Sequence, residues 1–268
     1  MTAHVDAGAP VRRLLAASWA VTGFQLGRLL TWPRLAMAAV GAVFPAAVML
    51  AVRRAAHGPL PPDLAVVTLY ALIPEAICML GLLVTMCPAV ADELERGTWP
   101  HVATRPRGRR ALLLGSWLAA VIWTGTVAIV ATLLALTVVD VGRPVVVGCV
   151  FVALTALSCA GRGALFALPA VILPKRALVA SVGLALVGEC LAGTIPAVVN
   201  QGTVSLRLRS LLVHWLGWRD KVPAEMQLFI DPQPPAVHLA AVAILVTVLL
   251  TAAVVILERR QFPPGDEL

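Results

Sequence analysis

The sequence predicts an all-α, polytopic membrane protein with six transmembrane helices and both termini in the cytoplasm. Three observations predict it. Of the 268 residues, 60% are hydrophobic and only 13% are charged, where a soluble domain carries about 25% charged residues. Six apolar runs approach or exceed the roughly 20 residues that a spanning helix needs. Lys and Arg are distributed unequally between alternate connections, which fixes a direction of insertion.

The composition argues against a water-soluble enzyme, a disordered chain and a nucleic-acid module, because too little charge is available to cover a water-facing surface. Mean hydropathy is +0.90. The net charge of +7 sits on arginines that flank apolar runs. They suit anionic lipid and form no stripe for nucleic acid. The five cysteines, Cys78, Cys87, Cys149, Cys159 and Cys190, lie inside apolar runs without a C-x-x-C pair. They read as small buried hydrophobes, and no metal or cofactor is expected.

The first element is a leader over residues 11–34. Leu15, Trp19, Leu26 and Leu29 share one helical face while Arg13 and Arg28 point the other way, as in an amphipathic helix lying on the inner surface. No cleavable signal peptide is visible in it. The six spans are expected at 35–52, 64–91, 111–139, 144–173, 175–199 and 237–257, the fourth and fifth joined by the tight turn Pro174–Lys175–Arg176. Spans two and three exceed the bilayer's need, so tilt or an interfacial extension is expected. Pro45, Pro74, Pro169 and Pro196 lie within or near the ends of runs, where neighbouring helices satisfy the freed carbonyls. With the N-terminus inside, inner segments hold 13 Lys and Arg and outer segments 7. The outer segment 200–236 is far longer than a connection requires. Val204, Leu208, Leu211, Leu212 and Trp215 share a face there, which predicts a helix over 204–218 lying flat or dipping shallowly at the outer surface, with Trp215 and Trp218 at headgroup level.

Missing motifs narrow the function. A P-loop requires G-x-x-x-x-G-K-[ST]. The two lysines are Lys175 and Lys221, preceded by Pro174 and Asp220, so neither belongs to one. No His is followed by Glu as H-E-x-x-H demands. Ser158 and Ser181 lie at membrane depth, but every His sits in a loop or at an end, so a serine–histidine site cannot assemble there. Three ionisable residues do lie at depth: Glu75, Arg162 and Glu189. Each costs about 2.5–3.5 kcal/mol at a helix centre, so each should face the bundle interior. Arg162 either pairs with a Glu near mid-depth or snorkels to the inner surface. Structural pairing and a place in a substrate pathway both remain open for the three.

The most informative connection is the inner loop 92–110. Asp92, Glu93 and Glu95 come first, followed by Arg96, Gly97 and Thr98, then Trp99–Pro100–His101–Val102, then Arg105–Pro106 and a basic cluster. Gly97 suits the end of span two. Thr98 suits a cap and Pro100 the first turn of a short helix across the inner surface, which would present Trp99, Val102 and the acids to a docking partner.

This stretch resembles the loop of the membrane subunits of type-2 ABC exporters, the ABC-2 type permeases. The positions that carry the resemblance are Glu93, Glu95, Gly97, Thr98, Arg105, Pro106, Arg109, Leu113 and Gly115. A second stretch, Gly188–Leu212, resembles some bacterial members, with a Glu in span five, a Pro, and a polar S-x-R-x-R-S segment. Trp99–Pro100–His101 departs from the Leu/Glu-rich helix usual at that point. The resemblance implies one permease domain over 1–268 in a bacterial cytoplasmic membrane. It also implies a second permease as partner, the same chain or a paralogue, and a separate ATPase subunit beneath the pair. Asp92, Glu93, Glu95, Arg96, Gly97, Thr98, Trp99, Val102, Arg105 and Pro106 would then form the ATPase-coupling segment, and Glu75, Arg162 and Glu189 would be intramembrane polar or pathway residues. No catalysis and no cofactor are expected of this chain. The substrate stays open. A structural or assembly membrane protein is the alternative, and a membrane-embedded enzyme a more distant one.

Overall fold

The structure, a computed structural model of the chain, describes residues 9–56, 58, 60–105, 107–191, 201–218 and 230–260. It is helical, with no strand among the described residues. The helices are α1 (Ala9–Leu29), α2 (Trp32–Ala55), α3 (Pro62–Glu95), α4 (Trp99–Ala103), α5 (Gly108–Val138), α6 (Pro144–Ile172), α7 (Ala177–Leu184), α8 (Val204–Trp215) and α9 (Pro235–Arg259). A 3-10 turn, Pro174–Arg176, precedes α7, and a π-helical stretch, Ala185–Leu191, continues it.

Local chemistry sets the boundaries. Proline stands in the first turn of α2, α3, α4, α6 and α9, where its missing N–H is no loss and its fixed φ is already helical. Two ends are closed by glycine at positive φ. Gly97 (φ 66°) ends α3, with its N–H on the Leu94 carbonyl and the Thr98 N–H on the Glu93 carbonyl. Gly217 (φ 67°) ends α8 in the same way through His214 and Val213. Both are Schellman closures, which need a residue without a Cβ at that position.

Five helices are long and apolar enough to cross a membrane: α2, α3, α5, α6 and α9, of 24, 34, 31, 29 and 25 residues. The chain is accordingly a multi-pass membrane protein. These five extend the expected runs 35–52, 64–91, 111–139, 144–173 and 237–257 by a few residues at most ends. The expected span 175–199 is a different case. Its described part is helical to Leu191 but shorter than a full crossing, and 192–200 lie outside the described residues.

The bundle is built around α5 and α6, with α3 packed against both. Half of the apolar window of α3 is buried, against 17% for α2 and 11% for α9, which flank α5 and α6 respectively. The inner face of α5 consists of small residues, including Gly115, Ala119, Ala120, Ala128, Ala131 and Ala135. Small faces let helix backbones approach without a hydrophobic drive from the lipid. The closest approach is at Gly115, where a Cβ would stand 2.6 Å from Val21 Cβ and 2.7 Å from the Ser18 carbonyl oxygen of α1.

The leader and the outer segment both contain a helix, and the second departs from expectation. The leader helix forms, but it turns Ser18, Thr22 and Leu29 to the protein and leaves Leu15 and Trp19 exposed. Its small polar face packs along α5, and Thr22 donates to the Gly115 carbonyl at 3.2 Å. Of the expected apolar face, Leu15 and Trp19 are exposed and Leu29 is buried. The outer helix also forms, at Val204–Trp215, but not as a shallow surface element. Val204, Ser205, Leu206, Leu208, Ser210, Leu211, Leu212 and Val213 are all buried. Its first turn packs on Gly161 of α6, where a Cβ would lie 3.0 Å from a Val204 methyl. The reason lies in the polar groups that this turn meets.

Candidate functional site

The interior site starts at an irregularity in α3. Between Ala71 and Ile77 the helix widens into a π turn that contains Pro74. Proline has no N–H to give and crowds the preceding turn, and π turns are a common way to absorb such a break. The wider turn offers the Pro74 carbonyl sideways. Ser158 Oγ of α6 donates to it at 2.6 Å, and so does Arg162 Nη1.

Arg162 is fully buried. Its Nη1 also donates to Ser158 Oγ at 2.7 Å. Its Nη2 is ion-paired to Glu75, donates to Ser205 Oγ at 2.9 Å, and lies 3.6 Å from Glu189 Oε2. Tyr70 donates to the other Glu75 oxygen at 2.6 Å. Glu189, in the π stretch after α7, receives the backbone N–H groups of Val204 and Ser205, both at 3.0 Å. It thereby caps α8 with a carboxylate, the group that a helix N-terminus favours. Thr203 adds the side-chain cap proper, accepting from the Leu206 N–H at 3.2 Å.

Four chain segments therefore converge: the π turn of α3, α6, the stretch after α7, and the start of α8. The formal charges are two carboxylates against one guanidinium. The α8 N-terminus supplies about half a positive charge more. Arg162 and Glu189 are closed off, whereas the Glu75 side chain keeps 25% of its surface exposed. Chemically this is a tie that holds the four segments together. Among the described residues no group of His, Cys, Asp and Glu that could hold a metal ion is present. The sequence singled out Glu75, Arg162 and Glu189, and the structure brings all three together with Arg162 pairing to both carboxylates. It did not single out Tyr70, Ser205 or the Pro74 carbonyl. Ser205 opens the S-x-R-x-R-S segment, which was the available signal.

A second cluster forms at one end of the bundle. Arg28 of α1 is clamped to Glu93 at 2.5 Å and to Asp92 at 3.1 Å. Gln25 donates to the same Glu93 oxygen at 3.4 Å, and Thr98 Oγ1 donates to the other. Glu93 and Trp99 are buried, with Trp99 beneath the Arg109 guanidinium 5.6 Å from its ring centre. The expected presentation of Glu93 and Trp99 to a partner is thus corrected, because both are spent on holding α4 against α1 and α5. Glu95, Arg96, Gly97, His101, Thr104 and Arg105 form the exposed rim, and Val102 is half-buried. Pro106 lies outside the described residues.

Arginines tie the remaining helix ends here. Arg109 donates to the Glu258 carbonyl at 2.9 Å and the Arg260 carbonyl at 3.2 Å, Arg110 pairs with Glu258, and Arg260 donates to the Val171 carbonyl at 2.9 Å. Cations on terminal carbonyls complement the helix dipole. The ends of α1, α3, α6 and α9 and the start of α5 are thereby gathered at one pole. At the opposite pole Arg53 at the end of α2 donates to the Val138 carbonyl at the end of α5, and Arg207 holds Asp231 just before α9 at 3.0 Å.

No model of a known protein family matches the chain, and no curated protein matches it.

Proposed function

We propose that this chain is the membrane subunit of an ABC-type exporter, moving a substrate across the membrane with energy from a separate ATPase chain. The observation that carries the reading is the clamp at the Arg28 pole. A short helix, α4, sits between the second and third long helices with its buried side bolted to α1 and α5 and its outer rim exposed. A force applied to that rim by a docked ATPase would pass to α1, α3 and α5 together, because Arg28, Glu93, Thr98 and Trp99 make them one body. The exposed Glu95, Arg96, His101 and Arg105 are the contacts such a partner would use.

The six-crossing layout with both termini on the cytoplasmic side belongs to the same reading. It is supported by the gathered ends. α6 and α9 finish at one pole, so the chain between them must return across the bundle, and 175–199 is the apolar run available for that. The buried cluster would then bind α8 to the bundle interior, near the region where a pathway has to open. The positive-inside count places the Arg28 pole in the cytoplasm. A second permease completes the assembly in this reading.

The test is purification of the tagged chain from its native membrane in mild detergent. An ATPase with a P-loop should co-purify in stoichiometric amount, and Glu95→Lys with Arg105→Glu should release it while the permease stays folded. A chain that purifies alone and leaves ATP hydrolysis of the membrane fraction unchanged on deletion would overturn the reading.

A further inference from the structure

An apolar groove runs along the outside of the bundle between α2, α3 and α5, with a volume of about 540 Å³. That is within the roughly 300–1,000 Å³ range of ligand sites. Its walls are Met37, Val40 and Phe44 of α2, Leu80 and Val84 of α3, and Trp123 of α5. One cation lines it, Arg34, at the end nearest the Arg28 clamp. There the groove meets a small polar crevice that shares Leu29, Arg34, Val84 and Thr85 and adds Gln25 and Ser116.

We propose that this groove holds one acyl chain of an anionic phospholipid, with its phosphate on Arg34. Four features point to that occupant. From Arg34 to Phe44 is ten residues of helix, about 15 Å at 1.5 Å per residue, which is half of the ~30 Å hydrocarbon core. The groove therefore has the length of one leaflet. Its charge is at one end alone, as an amphiphile's is. Arg34 spends one donor on the Arg28 carbonyl, at 3.1 Å, and has no carboxylate partner among the described residues. Asp92, which also lines the crevice, is held by Arg28. Trp32, two residues from Arg34, is strongly exposed, as an indole at headgroup level is.

The site is independent of any ATPase partner, so its test and the test of the exporter reading fail separately.

Native mass spectrometry of the detergent-purified chain is the experiment, with phosphatidylglycerol and phosphatidylcholine of identical chains added in turn. Phosphatidylglycerol should be retained about tenfold over phosphatidylcholine. Arg34→Gln should abolish that preference and Arg34→Lys should keep it, both with unchanged melting temperature. Ala38→Phe, which fills the groove from α2, should reduce retention of both lipids. Equal retention of the two lipids by the native chain, or an undiminished preference in Arg34→Gln, overturns the proposal. So does a stable dimer, cross-linked through Val40→Cys, that excludes phosphatidylglycerol, because a second copy would then be the occupant.

Discussion

The Glu189 carboxylate receives both the backbone N–H of Ser205, at 3.0 Å, and lies 2.7 Å from its hydroxyl. The same hydroxyl is 3.0 Å from Glu75 Oε2 and accepts from Arg162. One serine proton thus serves two carboxylates, and α8 is anchored in the bundle by a group that belongs to a different helix. A buried polar network of this kind is stable only when each member keeps its partners. Removing any one member tells which of them governs the position of α8.

Arg162→Met leaves two carboxylates facing each other without their cation. Deleting one partner of a buried ion pair costs about 3–5 kcal/mol, so the variant should melt far below the native chain in detergent or fail to accumulate. Combining it with Glu75→Gln removes one of the stranded charges and should restore part of the loss. A double variant no better than Arg162→Met would separate Arg162 from Glu75 energetically.

Glu189→Gln keeps one acceptor for the α8 N-terminus and should cost about 0.5–2 kcal/mol, the range of a weakened cap. Glu189→Leu leaves the Val204 and Ser205 N–H groups without a partner, at about 1–3 kcal/mol for each buried orphan. Thiol labelling of single cysteines along 204–215 should stay low in the native chain and in the Gln variant and rise in the Leu variant. Uniform high labelling in the native chain would contradict the inward seat of α8.

Glu93 and Glu95 stand two residues apart and should respond in opposite ways. Glu93 is buried against Arg28 and Thr98, so Glu93→Lys sets two cations together and should detach α1 and lower the melting temperature sharply. Glu95 is exposed, and Glu95→Lys should change stability by no more than about 0.5 kcal/mol. Thermal scans of the two variants check this, and equal melting would show that the Arg28 clamp carries no load.

How far the sequence reached is clear from these same residues. Helix ends were legible because they depend on local chemistry: Pro at first turns, Gly97 at the end of α3, and the Arg flanks. Glu75, Arg162 and Glu189 were legible because a charge at membrane depth is costly and must face inward. The partners were not legible, since Ser205 and Arg28 meet theirs over separations that no local pattern encodes. The seat of α8 was misjudged for that reason. Its apolar stripe is equally consistent with lipid and with protein, and the Glu189 cap that decides between them lies 15 residues earlier in the chain. The contacts of the leader were not legible either. Packing of Ser18 and Thr22 on Gly115 depends on backbone proximity, which hydrophobicity does not report.

Gly115→Val tests that leader contact. The new Cβ would stand 2.6–2.7 Å from Val21 and the Ser18 carbonyl, and backbone cannot retreat as a long side chain can. α1 should lift from α5, breaking the Thr22–Gly115 hydrogen bond, and a cysteine at Thr22 should become reactive. At Gly125 on the same helix an added Cβ meets nothing within 4 Å, so Gly125→Val serves as the control, with α1 remaining shielded.

The gathered helix ends make a prediction about crossing number. Arg260 donates to the Val171 carbonyl, so α6 and α9 finish at the same pole. α9 is 25 residues long, about 38 Å at 1.5 Å per residue, so its start at Pro235 lies near the other pole, where Arg207 meets Asp231. The chain leaves α6 at one pole and enters α9 at the other, so the proposed six-helix layout predicts one crossing between them. By sequence, 175–199 is the apolar run proposed to make it. In intact cells, with exposed Cys149 replaced by Ser, a membrane-impermeant thiol reagent should discriminate two sets of single cysteines. His101→Cys and Lys175→Cys should react only after the membrane is opened. Arg54→Cys, Arg143→Cys and Gln233→Cys should react from outside. Labelling of Gln233→Cys from the same side as Lys175→Cys would mean that 175–199 does not traverse the bilayer, and the six-helix layout would fall with it.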